Sequence, residues 1–186
     1  MAGSAGWPRA SRAAPLHREL WRYLVDDRHV VSGAAFSGAG NLYAWLRQVT
    51  VLPEEGSVEE ELAKVPPGSR GVVVMPYHAG SRPPLALAAG YEALAATLPA
   101  PPDVVASGGA IVASPWWQQT LADVLGRPVR VVDELEASAR GAALLAVGRT
   151  TDPATVRVVE PHPDAVEAQR AARALHEDLA ARLGYR

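Results

Sequence analysis

Residues 103–129 read DVVASGGAIVASPWWQQTLADVLGRPV, and the order of residue types in this stretch decides the kind of fold. Asp103–Ala106 is short and apolar, as a buried strand is, and it runs directly into Ser107-Gly108-Gly109. Ser114 then stands as a helix N-cap with Pro115 in the first helical position, which its missing N–H suits. Trp117, Leu121, Val124 and Leu125 form one apolar face, and Gly126 with Pro128 stops the helix. Val129–Val132 is the next strand. Strand, glycine turn, helix and strand in succession define an α/β layer structure.

The pattern continues on both sides. Downstream, Ala137–Val147 reads as a helix of small residues and Val156–Val159 as a last short strand. A final helix follows, with Asp164 and Glu167 as a capping pair and Ala168, Ala172, Leu175, Leu179 and Leu183 on one face. Upstream, Leu16–Val25 is a short apolar segment, Asp26-Asp27 a turn and Arg28–Ala35 a β-branched strand. Gly38-Ala39-Gly40 leads into a helix with Leu42, Trp45, Leu46 and Val49 at helical spacing. Glu54–Lys64 is a solvated helix closed by Pro66-Pro67-Gly68. Gly71–Met75 is a strand ended by Pro76, and Ala86–Leu98 a helix that Gly90 weakens.

The chain has 186 residues, a formal net charge of −2, 48% hydrophobic and 20% charged residues and no cysteine. That is enough chain for one substantial core. Disulfides, thiolate metal sites and a cysteine nucleophile are excluded. The near-neutral balance argues against nucleic-acid binding. No stretch of about 20 mostly apolar residues suggests a membrane span, and the basic opening segment lacks the apolar run of a secretory signal. A cytoplasmic protein is expected, with residues 1–15 as a disordered tail.

The chemistry-bearing candidates are few. Ser107, Gly108 and Gly109 lack bulky side chains, so a flat ligand can approach their backbone N–H groups closely; an ordinary tight βα turn uses the same residues. Gly38-Ala39-Gly40 lacks the third glycine of a dinucleotide fingerprint. None of the five histidines (His17, His29, His78, His162, His176) pairs with another at helical spacing, so no metal site is expected. His176, among charged residues, reads as solvated, and His78 as a loop residue within reach of a ligand. Glu136 hydrogen-bonds locally or caps the helix that follows it, and Trp117 is a core residue.

Several segments taken together resemble one family. They are Val105-Ala106-Ser107-Gly108-Gly109-Ala110, Ser114-Pro115-Trp116-Trp117-Gln118-Gln119, Ala122-Asp123-Val124-Leu125-Gly126-Arg127-Pro128-Val129 and Glu136-Ala137-Ser138-Ala139-Arg140-Gly141-Ala142-Ala143. Upstream, Gly40-Asn41-Leu42-Tyr43-Ala44-Trp45-Leu46-Arg47 and Met75-Pro76-Tyr77-His78-Ala79-Gly80 join them. In order and wording they are similar to the carboxy-terminal domain of the FGGY carbohydrate kinases, the gluconokinase- and xylulokinase-like members above all.

The resemblance implies the ribonuclease-H-like lobe of the actin-like ATPase fold, a mixed sheet flanked by helices, here incomplete. The lobe would occupy residues 16–160, with an internal deletion near 84–88 and a terminal helix over 161–186. In the family this lobe binds most of the ATP, and Mg²⁺ comes with the nucleotide. Gly108 and Gly109 match the adenosine-motif glycines, flanked by Ser107 and Ala110, and Gly40 matches a glycine near the phosphates. Ala44 and Ala113 stand where glycerol kinases have a glutamine and an asparagine that touch or approach the nucleotide, so those contacts are lost or replaced. Gly141 and Ala142 match the helix that packs at the hinge between lobes. The sugar-binding lobe, the Gly-Asp segment with the general base and the phosphate hairpin have no counterpart, so no catalytic residue is expected. Three readings follow: a lobe silent alone that retains weak adenine-nucleotide binding, half of a split kinase completed by an amino-terminal lobe, or a non-catalytic interaction module. Surfaces that a complete kinase covers would be exposed, favouring a partner lobe or self-association.

Overall fold

The computed structural model describes residues 20–25, 30–34, 40–52, 55–73, 85–149, 151–152 and 154–184. The expected tail, the Asp26-Asp27 turn, Gly38, His17, His29, His78 and the Met75–Gly80 motif lie outside these residues. The chain divides into two compact units, Met1–Tyr43 with Pro76–Pro102, and Ala44–Met75 with Asp103–Arg186.

In the first unit β1 (Trp21–Leu24) pairs antiparallel with β2 (Val30–Gly33). Trp21 faces Gly33 across the ladder, and its indole covers that glycine so closely that a Cβ there would lie 2.6 Å from the ring. On the neighbouring pair Arg22 Nε donates to Ser32 Oγ at 3.1 Å. Helix α3 (Leu85–Ala95) packs on β2, with Val30 and Ala88 buried. Gly90 is buried within α3 and does not break it. Helix α1 (Gly40–Val49) begins in this unit and ends in the other.

The second unit is built on a mixed sheet of three strands, β3 (Val104–Ala106), β4 (Val129–Val132) and β5 (Thr155–Val159). β3 runs parallel to β4 and β5 antiparallel to it. A bulge at Val131/Val132 leaves Val156 without a place in the register, and that side chain is 63% exposed. Helix α2 (Glu55–Ala63) packs on α5 (Pro115–Leu125), and α5 also meets β4, β5 and α7 (Pro163–Arg182). The core is made of Ala106, Ile111, Leu121, Ala122, Val129, Val131, Val132, Ala165 and Ala180. These small and β-branched side chains let helix and sheet approach closely.

Helix α5 forms as its sequence dictates. Ser114 Oγ accepts from Trp117 N–H at 3.1 Å, Pro115 opens the helix, and Gly126 closes it in the left-handed conformation. The flanking segments depart from expectation. Residues Gly68, Ser69, Arg70 and Gly71 are all left-handed, with φ of 75°, 50°, 53° and 78°. Four such residues coil the chain, so Gly71–Val73 is not the start of a strand; Val74 and Met75 lie outside the described residues.

On α7 neither Asp164 nor Glu167 caps the helix. His162 takes the N-cap position without a side-chain bond, and Pro163 opens the helix. The buried face is also rotated from the expected one. Ala165, His176 and Ala180 are buried, whereas Leu175 and Leu183 are exposed. His176 is therefore inside rather than solvated. Its pKa lies below the ordinary histidine value because burial disfavours the imidazolium, with neighbouring Glu177 opposing the shift.

Candidate functional site

The turn between β3 and α4 (Gly109–Ala113) is the most developed candidate. The strand ends at Ala106, which is fully buried, and the chain emerges through half-buried Ser107 and Gly108 to exposed Gly109 and Ala110. Gly108 adopts φ 98°, ψ 153°, a conformation close to glycine-only. Gly109 is an ordinary helical residue, and no atom lies within 4 Å of a Cβ placed on either glycine. The open space at Gly109 is thus not required by packing. It is room beside a backbone, which is what a planar ligand needs.

The turn offers less than three free N–H groups, however. Gly108 N–H donates to the main-chain oxygen of Glu134 at 3.1 Å, so it is already committed to the loop after β4. The other end of the unit is held as well. Gln118, 1% exposed on α5, donates from Nε2 to Ile111 O at 2.7 Å and to Val112 O at 3.4 Å. Its Oε1 accepts from Arg157 Nη2 of β5. These bonds tie α5 to the carbonyls at the end of α4, where Ile111 O also accepts from Ser114 N–H at 3.4 Å.

A second carboxylate group of contacts braces α5. Glu59 on α2 accepts from Ser114 Oγ through Oε1 and from Trp116 N–H at 3.1 Å through Oε2. An acidic group on the first turn of a helix complements its dipole, so α2 is not merely a solvated helix. At the far end buried Asp123 accepts from His162 N–H at 2.8 Å and from Gln119 Nε2 at 2.9 Å, which ties the β5–α7 connection to α5. Gln119 also donates to Glu160 O at 2.9 Å.

Of the residues proposed from sequence, Ser107, Gly108, Gly109, Ala110 and Ala113 come together on this one turn and its short helix, with Ala113 exposed at the helix end. Gly40 opens α1 in the first unit, and Ala44 is an exposed residue of α1 in the second. Glu136 occupies the N-cap of α6 (Ala137–Ala146) but makes no side-chain cap. Trp117 is half-buried rather than central to the core. Gln118, Glu59, Glu134, Arg140 and Arg157 escaped the sequence reading. Only Gln118 left a signal there, because it lies three and four residues before Leu121 and Ala122 on the buried face. A cavity of about 430 Å³ elsewhere in this unit is lined by Glu61, Lys64, Ser69 and Arg70 among others. Glu61 already takes the Lys64 ammonium, at 2.5 Å.

Residues 85–148, which contain the glycine turn, α4, α5 and α6, match the FGGY family of carbohydrate kinases, C-terminal domain. The match covers about a third of the chain. Ligand-bound xylulose kinase from Lactobacillus acidophilus aligns over 98% of this chain and 45% of its own, with a TM-score of 0.76 at 18% identity. Gluconate kinase from the same organism covers 89% of this chain and 42% of its own, with a TM-score of 0.70 at 19% identity. Xylulose kinase from Rhodospirillum rubrum covers 90% and 43%, with a TM-score of 0.68 at 22% identity. The chain therefore has the fold of one part of these sugar kinases, a mixed-sheet lobe of the actin-like ATPase type, and spans less than half their length. Comparison with curated proteins gives no match. Among the described residues no helix is long and apolar enough to cross a membrane.

Proposed function

We propose that this chain is the nucleotide-side lobe of an FGGY-type sugar kinase and seats an adenine nucleotide on the Ser107–Ala110 turn. The observation that carries this reading is Gly109, exposed and with open space where a side chain would be, directly after a Gly108 whose backbone excludes other residues. The adenosine would lie against this open backbone. Among the described residues no three His, Asp or Glu cluster to hold a metal on their own. Mg²⁺ is assigned to the nucleotide's phosphates, where it would neutralise charge during phosphoryl transfer.

Phosphoryl transfer also needs an acceptor site and a base to receive the hydroxyl proton, and neither is assigned to these residues. The 186 residues alone are expected to give no turnover of gluconate, xylulose or glycerol in a coupled assay; activity above background would overturn this. The complementary lobe would be a separate polypeptide or a second region of a longer one. Exposed apolar side chains favour such a covering partner: Leu145 and Val147 at the end of α6, and Val156 and Val158 on β5. Light scattering at micromolar concentration tests this. Association or aggregation supports an uncovered interface, and a clean 19.6 kDa monomer with a cooperative melt contradicts it.

A further inference from the structure

Helix α4 is five residues long, too short to hold itself together, so contacts from outside must set the turn that precedes it. Gly108 O accepts from Ile111 N–H at 3.1 Å and from Val112 N–H at 3.0 Å. The carbonyls of those same two residues accept from one side chain, Gln118 Nε2, at 2.7 Å and 3.4 Å. Ile111 C=O and Val112 N–H belong to a single planar peptide group. Gln118 therefore grips one side of a rigid plate whose other side bonds to Gly108. Buried Ile111 also anchors α4, but apolar burial is non-directional and does not orient a peptide plane.

The Gln118 amide, 1% exposed, has its two ends assigned by the chemistry of its partners. Arg157 Nη2 on β5 bonds to Oε1, and a guanidinium only donates. The carbonyls of α4 only accept, so the NH₂ group must face them. Arg157 thus holds the amide in the one orientation that serves α4. We propose that Gln118 is a positioning residue of the nucleotide-binding turn, with Arg157 holding it in place. Acting through α4, Gln118 keeps the Gly108–Gly109 backbone in the conformation that leaves the space beside Gly109 open. The proposal rests on the nucleotide reading above and adds to it a connection from β5 to the site.

Titration of the 186-residue chain and its variants with ADP tests it. Measured well below each variant's melt, affinity reports the folded protein rather than its global stability. Gln118→Met, which keeps the volume and loses the amide, should weaken ADP by about fivefold or more, the scale of a lost buried hydrogen bond. Gln118→Glu keeps an acceptor for Arg157 but cannot donate to α4, and should weaken ADP as much. Arg157→Met should weaken ADP by about threefold, and Arg157→Lys, which keeps a donor, should return to within about twofold of the wild type. The Arg157 pair carries the test if the Gln118 variants fail to fold. Wild-type affinity in Gln118→Met, or in Arg157→Met where that pair carries the test, overturns the assignment, as does a loss that Arg157→Lys leaves unrestored. If ADP binds the wild type, is lost with Gly109→Val and is indifferent to the Gln118 and Arg157 variants, the nucleotide reading stands and the positioning role alone is wrong. If ADP does not bind the wild type, both fall together.

Discussion

Two tight turns in the second unit use glycine for opposite reasons. In the Pro67–Gly71 turn a Cβ on Gly68 would meet Ala168 O of α7 at 3.2 Å, in a residue with φ 75°. Packing and backbone both demand glycine there, and the protein itself fills the space. In the β3–α4 turn the backbone demands glycine only at Gly108, and a Cβ built on either glycine would meet nothing within 4 Å. Of these two successive glycines the backbone requires one, and the proposed adenine nucleotide would occupy the space beside the other.

Substitutions can break this comparison. Gly108→Ala forces a Cβ into a conformation reserved for glycine and should cost about 2–3 kcal/mol, read from urea unfolding. Gly68→Ala should cost about 1–2 kcal/mol, from the left-handed backbone and the Ala168 contact. A larger loss at Gly68 than at Gly108 would show that packing outweighs backbone in these turns.

Proton uptake probes the helix beneath the first turn. His176 has a folded pKa below its unfolded value of 6.5 because burial disfavours its charge. The unfolded chain therefore binds more protons in the window below pH 6.5. Stability is complete above it and is lost as pH falls from 6.5 toward the lowered pKa, by at most about 1.4 kcal/mol per pH unit. His176→Leu should flatten that slope in melts at pH 7.5 and 5.5, and an unchanged slope would place the titration elsewhere. The smallest stability effect is expected at Gly109→Ala, where a helical residue gains a methyl in open space. The change should lie within about 1 kcal/mol, in the stabilising direction. A clear loss would mean that the fold needs this glycine.

Much of this architecture was legible in the residues. The α5 helix declared its limits through Ser114, Pro115 and Gly126, because capping is local chemistry within a few residues. The β3 strand and its glycine turn were equally plain from Ser107-Gly108-Gly109, whereas the short helix α4 before Ser114 was not read. The buried face of α7 was misread because leucines dominate any apolar pattern, whereas packing against α5 and the 67–71 turn selects small residues and tolerates His176. Gly71–Val73 looked like a strand because its composition is apolar; the left-handed run before it is a conformational fact with only Gly68 and Gly71 as hints. Glu59 was invisible as a brace, since it acts on a helix fifty-five residues away. Long-range partners of charged residues leave no periodicity in a sequence.

Calorimetric titration of the purified chain with ADP, with and without Mg²⁺ and in parallel with Gly109→Val, addresses the central claim most directly. The account predicts saturable one-site binding by the wild type and its loss in a variant that still melts cooperatively. No heat from the wild type, or equal affinity in Gly109→Val, would contradict it.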